Sequence, residues 1–127
     1  MKTFNTVGII GTGLIGGSMG LAMKRRRLAR TIIGVSRHIS TLDEALRYRA
    51  IDCGSRDLQV LQAADLVIIA APVERIIQLA QDLPAILKPG CIVIDTGSTK
   101  AEIVSAWSRR FPHFVGCHPI AGSEKRG

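Results

Sequence analysis

The sequence predicts an α/β protein built on one doubly wound parallel sheet. Three observations carry that prediction. Short apolar runs alternate with longer helical patterns along the chain. The runs lack the apolar–polar alternation of a half-exposed strand, so they read as strands covered on both faces. A glycine-rich turn, Gly11-Thr12-Gly13-Leu14-Ile15-Gly16, separates the first run from the first helix. Alternation of this kind with short connections implies parallel strands joined by right-handed helical crossovers.

The elements follow in order. Val7–Ile10 is the first predicted strand and Leu14–Leu28 the first helix. Thr31–Val35 is the second strand. Thr41–Arg49 is the second helix, with Ser40 or Thr41 as N-cap and Glu44 close behind. Leu58–Ala64 reads as a short helix and Leu66–Ala70 as the third strand. Val73–Leu87 is the third helix, stopped before Pro89-Gly90. Cys91–Ile94 is the fourth strand, Lys100–Arg110 the fourth helix and Phe114–Cys117 the fifth strand. Nothing in the chain reads as an internal linker or repeat, so residues 1–127 are expected to form one domain.

The glycine turn has a mechanical reading at each position. The first glycine permits the tight turn, the second lets a pyrophosphate approach the backbone, and the third lets helix and strand pack closely. The phosphates then sit at the positive end of the helix. A strand before the motif and a helix after it make this the fingerprint of a Rossmann-type dinucleotide-binding domain. Gly11, Gly13 and Gly16, with the Leu14 and Ile15 amides between them, are the expected phosphate-binding group. A glycine-rich turn without a ligand is the plainer alternative.

Composition narrows the class. Apolar residues make up 46% of the 127 and aromatic residues only 4%, so the core is built from Ile, Leu, Val and Ala. The net charge of +7 owes much to Lys24-Arg25-Arg26-Arg27 at the end of the first predicted helix, where cations complement the helix dipole. No aromatic residues interleave with these basic ones, so nucleic acid is not expected as a partner. Cys53, Cys91 and Cys117 are odd in number and widely spaced, which suggests neither a disulfide framework nor a metal site. The uncharged stretch from Phe4 to Met23 is glycine-rich and is explained by strand, turn and helix, so no membrane span is expected. The expected location is the cytoplasm.

The end of the second strand selects the dinucleotide. NAD-binding versions of this fold place an Asp or Glu there to bind the ribose 2′-hydroxyl. This chain has Ser36-Arg37 instead. No carboxylate repels a 2′-phosphate, and a guanidinium is available to bind one. Thr41 and Ser40 would add donors at a helix start. The reading favours NADP over NAD; an ordinary exposed loop arginine is the alternative for Arg37.

Three segments follow the carboxyl ends of later strands, where ligands bind in such sheets. Ala71, Pro72 and Val73 would let the nicotinamide ribose lie close to the backbone. In Asp95-Thr96-Gly97-Ser98-Thr99-Lys100, Ser98 would project towards the nicotinamide and Lys100 would aim at an anion or pair with an acid. His118, opening His118-Pro119-Ile120-Ala121-Gly122-Ser123-Glu124, is a candidate acid/base with a pKa suited to neutral pH.

With these segments assembled, the chain resembles the N-terminal, NADP-binding domain of the prephenate/arogenate dehydrogenase family of tyrosine biosynthesis. The carriers are the glycine turn through Ser18, Gly34-Val35-Ser36-Arg37, the Asp95–Lys100 segment and the His118–Glu124 segment. The Gly-Val-Ser-Arg run is similar to that of NADP-dependent arogenate dehydrogenases. The resemblance implies oxidative decarboxylation of a small molecule, arogenate or prephenate, with hydride transfer to NADP. It implies His118 as the base, Ser98 as the group that orients it, and Lys100 in a supporting electrostatic role. It further implies a helical substrate and dimerisation domain beyond Gly127, a homodimeric full-length protein, and cofactor binding without turnover by residues 1–127 alone. Two other classes stay open on the residues themselves. One is a β-hydroxyacid or imine-type NADP dehydrogenase domain. The other is a nucleotide-sensing module that needs neither Ser98 nor His118.

Overall fold

A computed structural model of the chain describes residues 3–96, 103, 105–107 and 114–116. Six parallel strands form one sheet: β1 (Phe4–Ile10), β2 (Ala29–Val35), β3 (Cys53–Ser55), β4 (Leu66–Ile69), β5 (Ile92–Asp95) and β6 (Phe114–Gly116). Their order is β3-β2-β1-β4-β5-β6. The chain winds outward from β1 in one direction, then returns to β4 and winds outward in the other. The reversal between β1 and β4 opens a crevice at their carboxyl ends, where such sheets bind ligands. Helices α1 (Leu14–Arg25), α2 (Ile39–Arg47) and α3 (Val73–Ile86) connect the strands, with a 3₁₀ turn at Leu58–Leu61.

Both faces of the sheet are covered, as the unalternating strands require. Val7 and Ile9 of β1 pack with Ile32, Leu66 and Ile68 beneath Met23 of α1 and Leu42 of α2. Ile10, Val67 and Ile69 point the other way, into a second cluster with Ile76, Leu79 and Leu83 of α3. All four residues of β4 are therefore buried. Full burial of each such aliphatic side chain stabilises the fold by about 1.5–3 kcal/mol. Trp107 closes the second cluster. It is fully buried, its indole N–H donates to the Ile76 carbonyl at 2.8 Å, and its ring stacks on Phe114 at 5.2 Å between centroids.

The amino-terminal edge of the sheet is tied by two aspartates. Asp65, just before β4, accepts the Asn5 and Thr6 amides at 3.1 and 2.9 Å and pairs with Lys88 at 2.5 Å. The Lys88 hydrogen bond, followed by the Thr6 amide, holds its carboxyl below the usual aspartate pKa. Asp52 accepts the Ile32 amide at 2.7 Å and pairs with Lys24.

The structure departs from the sequence expectations at several boundaries. The strand Cys53–Ser55 was not expected, because three residues with a central glycine carry no strand signal. It exists through parallel pairing with β2, from Ile33↔Cys53 to Val35↔Ser55. Helix α1 ends at Arg25 rather than Leu28, and α2 at Arg47 rather than Arg49. Both stop in the same way. Leu28 N–H donates to Met23 O at 2.9 Å and Arg27 N–H to Lys24 O at 3.2 Å. Ala50 N–H donates to Ala45 O and Arg49 N–H to Leu46 O at 2.9 and 3.0 Å. These are Schellman closures. The left-handed residue in each is Arg27 (φ +54°) or Arg49 (φ +62°), so the glycine that normally announces such an end is missing from the sequence.

Helix α2 also begins earlier than expected, at Ile39, with His38 as its N-cap residue. The Ser36 hydroxyl accepts the His38 amide at 3.2 Å and turns the chain before Ser40 is reached. The expected helix Leu58–Ala64 contracts to the 3₁₀ turn, capped by Asp57, whose carboxylate accepts the Gln59 amide at 3.0 Å. Cys91 lies just before β5 rather than in it and is fully buried, which pushes its thiol pKa up to about 11.

Candidate dinucleotide site

The turn between β1 and α1 is built by two glycines that the fold itself demands. Gly11 has φ +87°, and a Cβ on it would lie 2.2 Å from the Ala70 carbonyl oxygen. A Cβ on Gly16 would lie 1.9 Å from the Gly11 carbonyl oxygen. Any side chain at either position drives backbone into backbone. Gly13 is different. Among the described residues nothing lies within 4 Å of the place its Cβ would occupy, so no contact there requires a glycine. The open space in front of Gly13 fits a ligand that approaches the backbone closely.

The helix start beside it is bare. No side chain caps Gly13, and the first turn of α1 contains no acidic residue. Gly17 N–H donates to Gly13 O at 2.7 Å and closes the first turn. The Leu14, Ile15 and Gly16 amides precede that bond, at the positive end of the helix. The Gly11 amide does not belong to this group, because it donates to Val35 O at 2.8 Å. Leu14 is 88% exposed and Ile15 is exposed as well.

A cleft of about 280 Å³ crosses the carboxyl ends of β1 to β4. Gly11, Ser36, Arg37, His38, Ala71 and Pro72 line it. Arg56, just past β3, and Arg75, in the first turn of α3, also line it. Sequence reasoning missed these two arginines. Arg56 follows a strand that gave no signal, and Arg75 looks like any exposed position on an amphipathic helix. Among the described residues no aspartate or glutamate lines this cleft. Partial burial, then the nearby Arg37 charge, lower the Arg75 pKa.

The expected site residues are thus placed unequally. Ser36, Arg37, Ala71 and Pro72 come together in the cleft, and Gly11 adjoins it; Gly13, Leu14, Ile15 and Gly16 form the helix start. Val73 opens α3 beside Pro72, half-buried. Thr41 does not line the cleft, and its amide donates to His38 O at 3.1 Å inside α2. Ser98, Lys100 and His118 lie outside the described residues. Asp95, at the end of β5, is fully buried and pairs in register with Ile69 of β4 and Gly116 of β6.

The family described as prephenate dehydrogenase, nucleotide-binding domain, matches residues 19–127. The chain belongs to that family. It is 36% identical over 124 residues to the prephenate dehydrogenase of Lactococcus lactis, covering 94% of this chain and 35% of that protein. The arogenate dehydrogenase of Synechocystis superposes with a TM-score of 0.85 at 35% identity, over 93% of this chain and 42% of that one. The A. aeolicus prephenate dehydrogenase, solved with hydroxyphenyl propionate and NAD+, gives 0.82 at 30% identity, over 95% and 43%. The chain therefore spans less than half the length of these relatives. Among the described residues no helix is long and apolar enough to cross a membrane, and no group of three or more His, Cys, Asp or Glu is placed to hold a metal ion.

Proposed function

We propose that this chain is the NADP-binding part of a dehydrogenase of tyrosine biosynthesis that oxidatively decarboxylates arogenate or prephenate. Family membership supports the reaction class. The observation that carries the cofactor reading is the cleft at the end of β2, lined by Ser36 and Arg37 and, among the described residues, by no carboxylate. The NAD+ of the A. aeolicus relative supports a nicotinamide dinucleotide as the class. The Leu14, Ile15 and Gly16 amides bind the pyrophosphate, Gly13 lets it approach, and Ser36 and Arg37 hold the ribose 2′-phosphate. Ala71, Pro72 and Val73 support the nicotinamide half.

When bound, the nicotinamide supplies the hydride acceptor. The protein's task is to position the substrate and manage one proton. His118, as neutral imidazole, accepts the proton of the substrate hydroxyl as hydride departs and carbon dioxide is lost. Ser98 orients that hydroxyl, and Lys100 supplies a supporting positive charge. Chain connectivity makes the pairing reasonable. Asp95 and Gly116 are register partners, Ser98 is three residues past the first and His118 two past the second.

The test uses the full-length protein, with NADP and NAD reduction followed separately on arogenate and on prephenate. Turnover of either substrate with NADP preferred is expected; a preference for NAD, or no turnover of either, refutes the reading. His118→Asn should lower kcat by about 100-fold or more with cofactor affinity nearly unchanged. A drop of only a few-fold would remove His118 from the role of base.

A further inference from the structure

Three arginines line the cleft, and they come from three separate elements. Arg37 follows β2, Arg56 follows β3, and Arg75 stands on the first turn of α3. β3 and β2 are hydrogen-bonded neighbours, so Arg56 and Arg37 extend from adjacent strand ends. They also share an outer recess with Asp57. The ion pairs among the described residues are Lys24–Asp52 and Lys88–Asp65, so none of the three arginines is paired with a carboxylate there. Asp57 accepts the Gln59 amide through one oxygen and keeps its charge, so one negative group stands near three positive ones.

Arg37 and Arg56 are exposed and Arg75 is half-buried, so the three repel one another only mildly in water, and an anion among them would be attracted by all three. Arginine does not shed its proton in proteins, so mutual repulsion cannot be relieved by titration. Partial burial of Arg75 reduces the screening there. A dianion between the three would reverse the sign of the interaction, and planar guanidiniums match phosphate oxygens two at a time. The position identifies which phosphate. The pyrophosphate belongs at the glycine turn after β1, whereas the ends of β2 and β3 lie at the adenosine ribose.

We propose that Arg56 and Arg75 join Arg37 in a three-guanidinium clamp on the 2′-phosphate of the adenosine ribose, so that NADP selection is distributed over three elements. The proposal rests on the NADP reading above and adds two residues to it. Each of the two contributes to the 2′-phosphate and not to the adenine or the 5′-phosphate.

The experiment titrates adenosine 2′,5′-bisphosphate and AMP calorimetrically into the wild-type chain and into Arg56→Gln and Arg75→Gln. Arg75→Lys serves as a conservative partner that keeps the charge and loses the fork. Trp107 emission checks that each variant is folded. Wild type should bind the bisphosphate more tightly than AMP. Each glutamine variant should lose about tenfold in bisphosphate affinity, the size of one charge-assisted hydrogen bond, with AMP affinity unchanged. Arg75→Lys should fall between. Equal losses on both ligands would assign the arginines to the adenine or the 5′-phosphate and overturn the clamp. So would the absence of any loss. A wild type that does not distinguish the two ligands would instead overturn the NADP reading itself, and the clamp with it.

Discussion

Gly13→Ala and Gly16→Ala should fail in opposite ways, although the two glycines are three residues apart in one motif. At Gly16 the new methyl would sit 1.9 Å from the Gly11 carbonyl oxygen and 3.1 Å from Ile9 Cγ2. The first contact is far inside van der Waals distance and involves backbone, so the turn must move. Overpacking of this kind costs about 1–3 kcal/mol, and more when backbone cannot yield. For a domain of this size that lowers Tm by roughly 4–15 °C. At Gly13 the methyl meets nothing within 4 Å among the described residues, and only the backbone ψ of −149°, at a φ of −72°, lies outside the range that alanine prefers. Stability should fall by about 1 kcal/mol, from the N-cap difference between glycine and alanine and from that ψ, with no clash to add to it. The same methyl would stand where a pyrophosphate approaches, so dinucleotide affinity should fall by about tenfold or more, at least ~1.4 kcal/mol. Urea unfolding followed by Trp107 emission measures the first quantity. Titration with NADPH, followed by its own fluorescence, measures the second. A Gly13→Ala protein that binds as tightly as wild type would refute the assignment of that glycine to the ligand. A Gly16→Ala protein of unchanged stability would refute the packing argument.

Two further expectations concern stability alone. Arg27→Gly should stabilise the domain by about 0.5–1 kcal/mol, because it removes the Cβ penalty of the left-handed closure after α1; equal or lower stability in urea would refute it. Asp65 has a folded pKa below its unfolded value, so its contribution is present above the ordinary aspartate range and is lost as pH falls through the folded value. The stability gap between wild type and Asp65→Asn should therefore be wider at pH 7 than at pH 3, and a gap independent of pH would count against the Lys88 pairing.

Much of this was legible because it is local. Val7 to Ile10 and Leu66 to Ile69 announce buried strands through unbroken apolar runs. The glycine spacing announces the turn, and Ser36-Arg37 announces the missing carboxylate. Local signals failed where long-range contacts decide. Leu28 looked helical, since nothing in Arg26-Arg27 marks a left-handed stop. Thr41 looked like a cap until the Ser36 hydroxyl turned the chain earlier.

By itself, then, the sequence determined the alternation of elements, the two-sided burial of the sheet and the presence of a dinucleotide-type turn. Those properties follow from residue periodicity and from backbone freedom at single positions. Only the tertiary structure decided which glycines serve the fold and which faces open space, since a Cβ clash depends on atoms from Ala70 and Gly11 brought close by folding. Only the tertiary structure placed Arg56 and Arg75 beside Arg37. Cys53–Ser55 becomes a strand by pairing with β2, and the parallel sheet then carries residues 19 and 38 positions beyond Arg37 to the same edge.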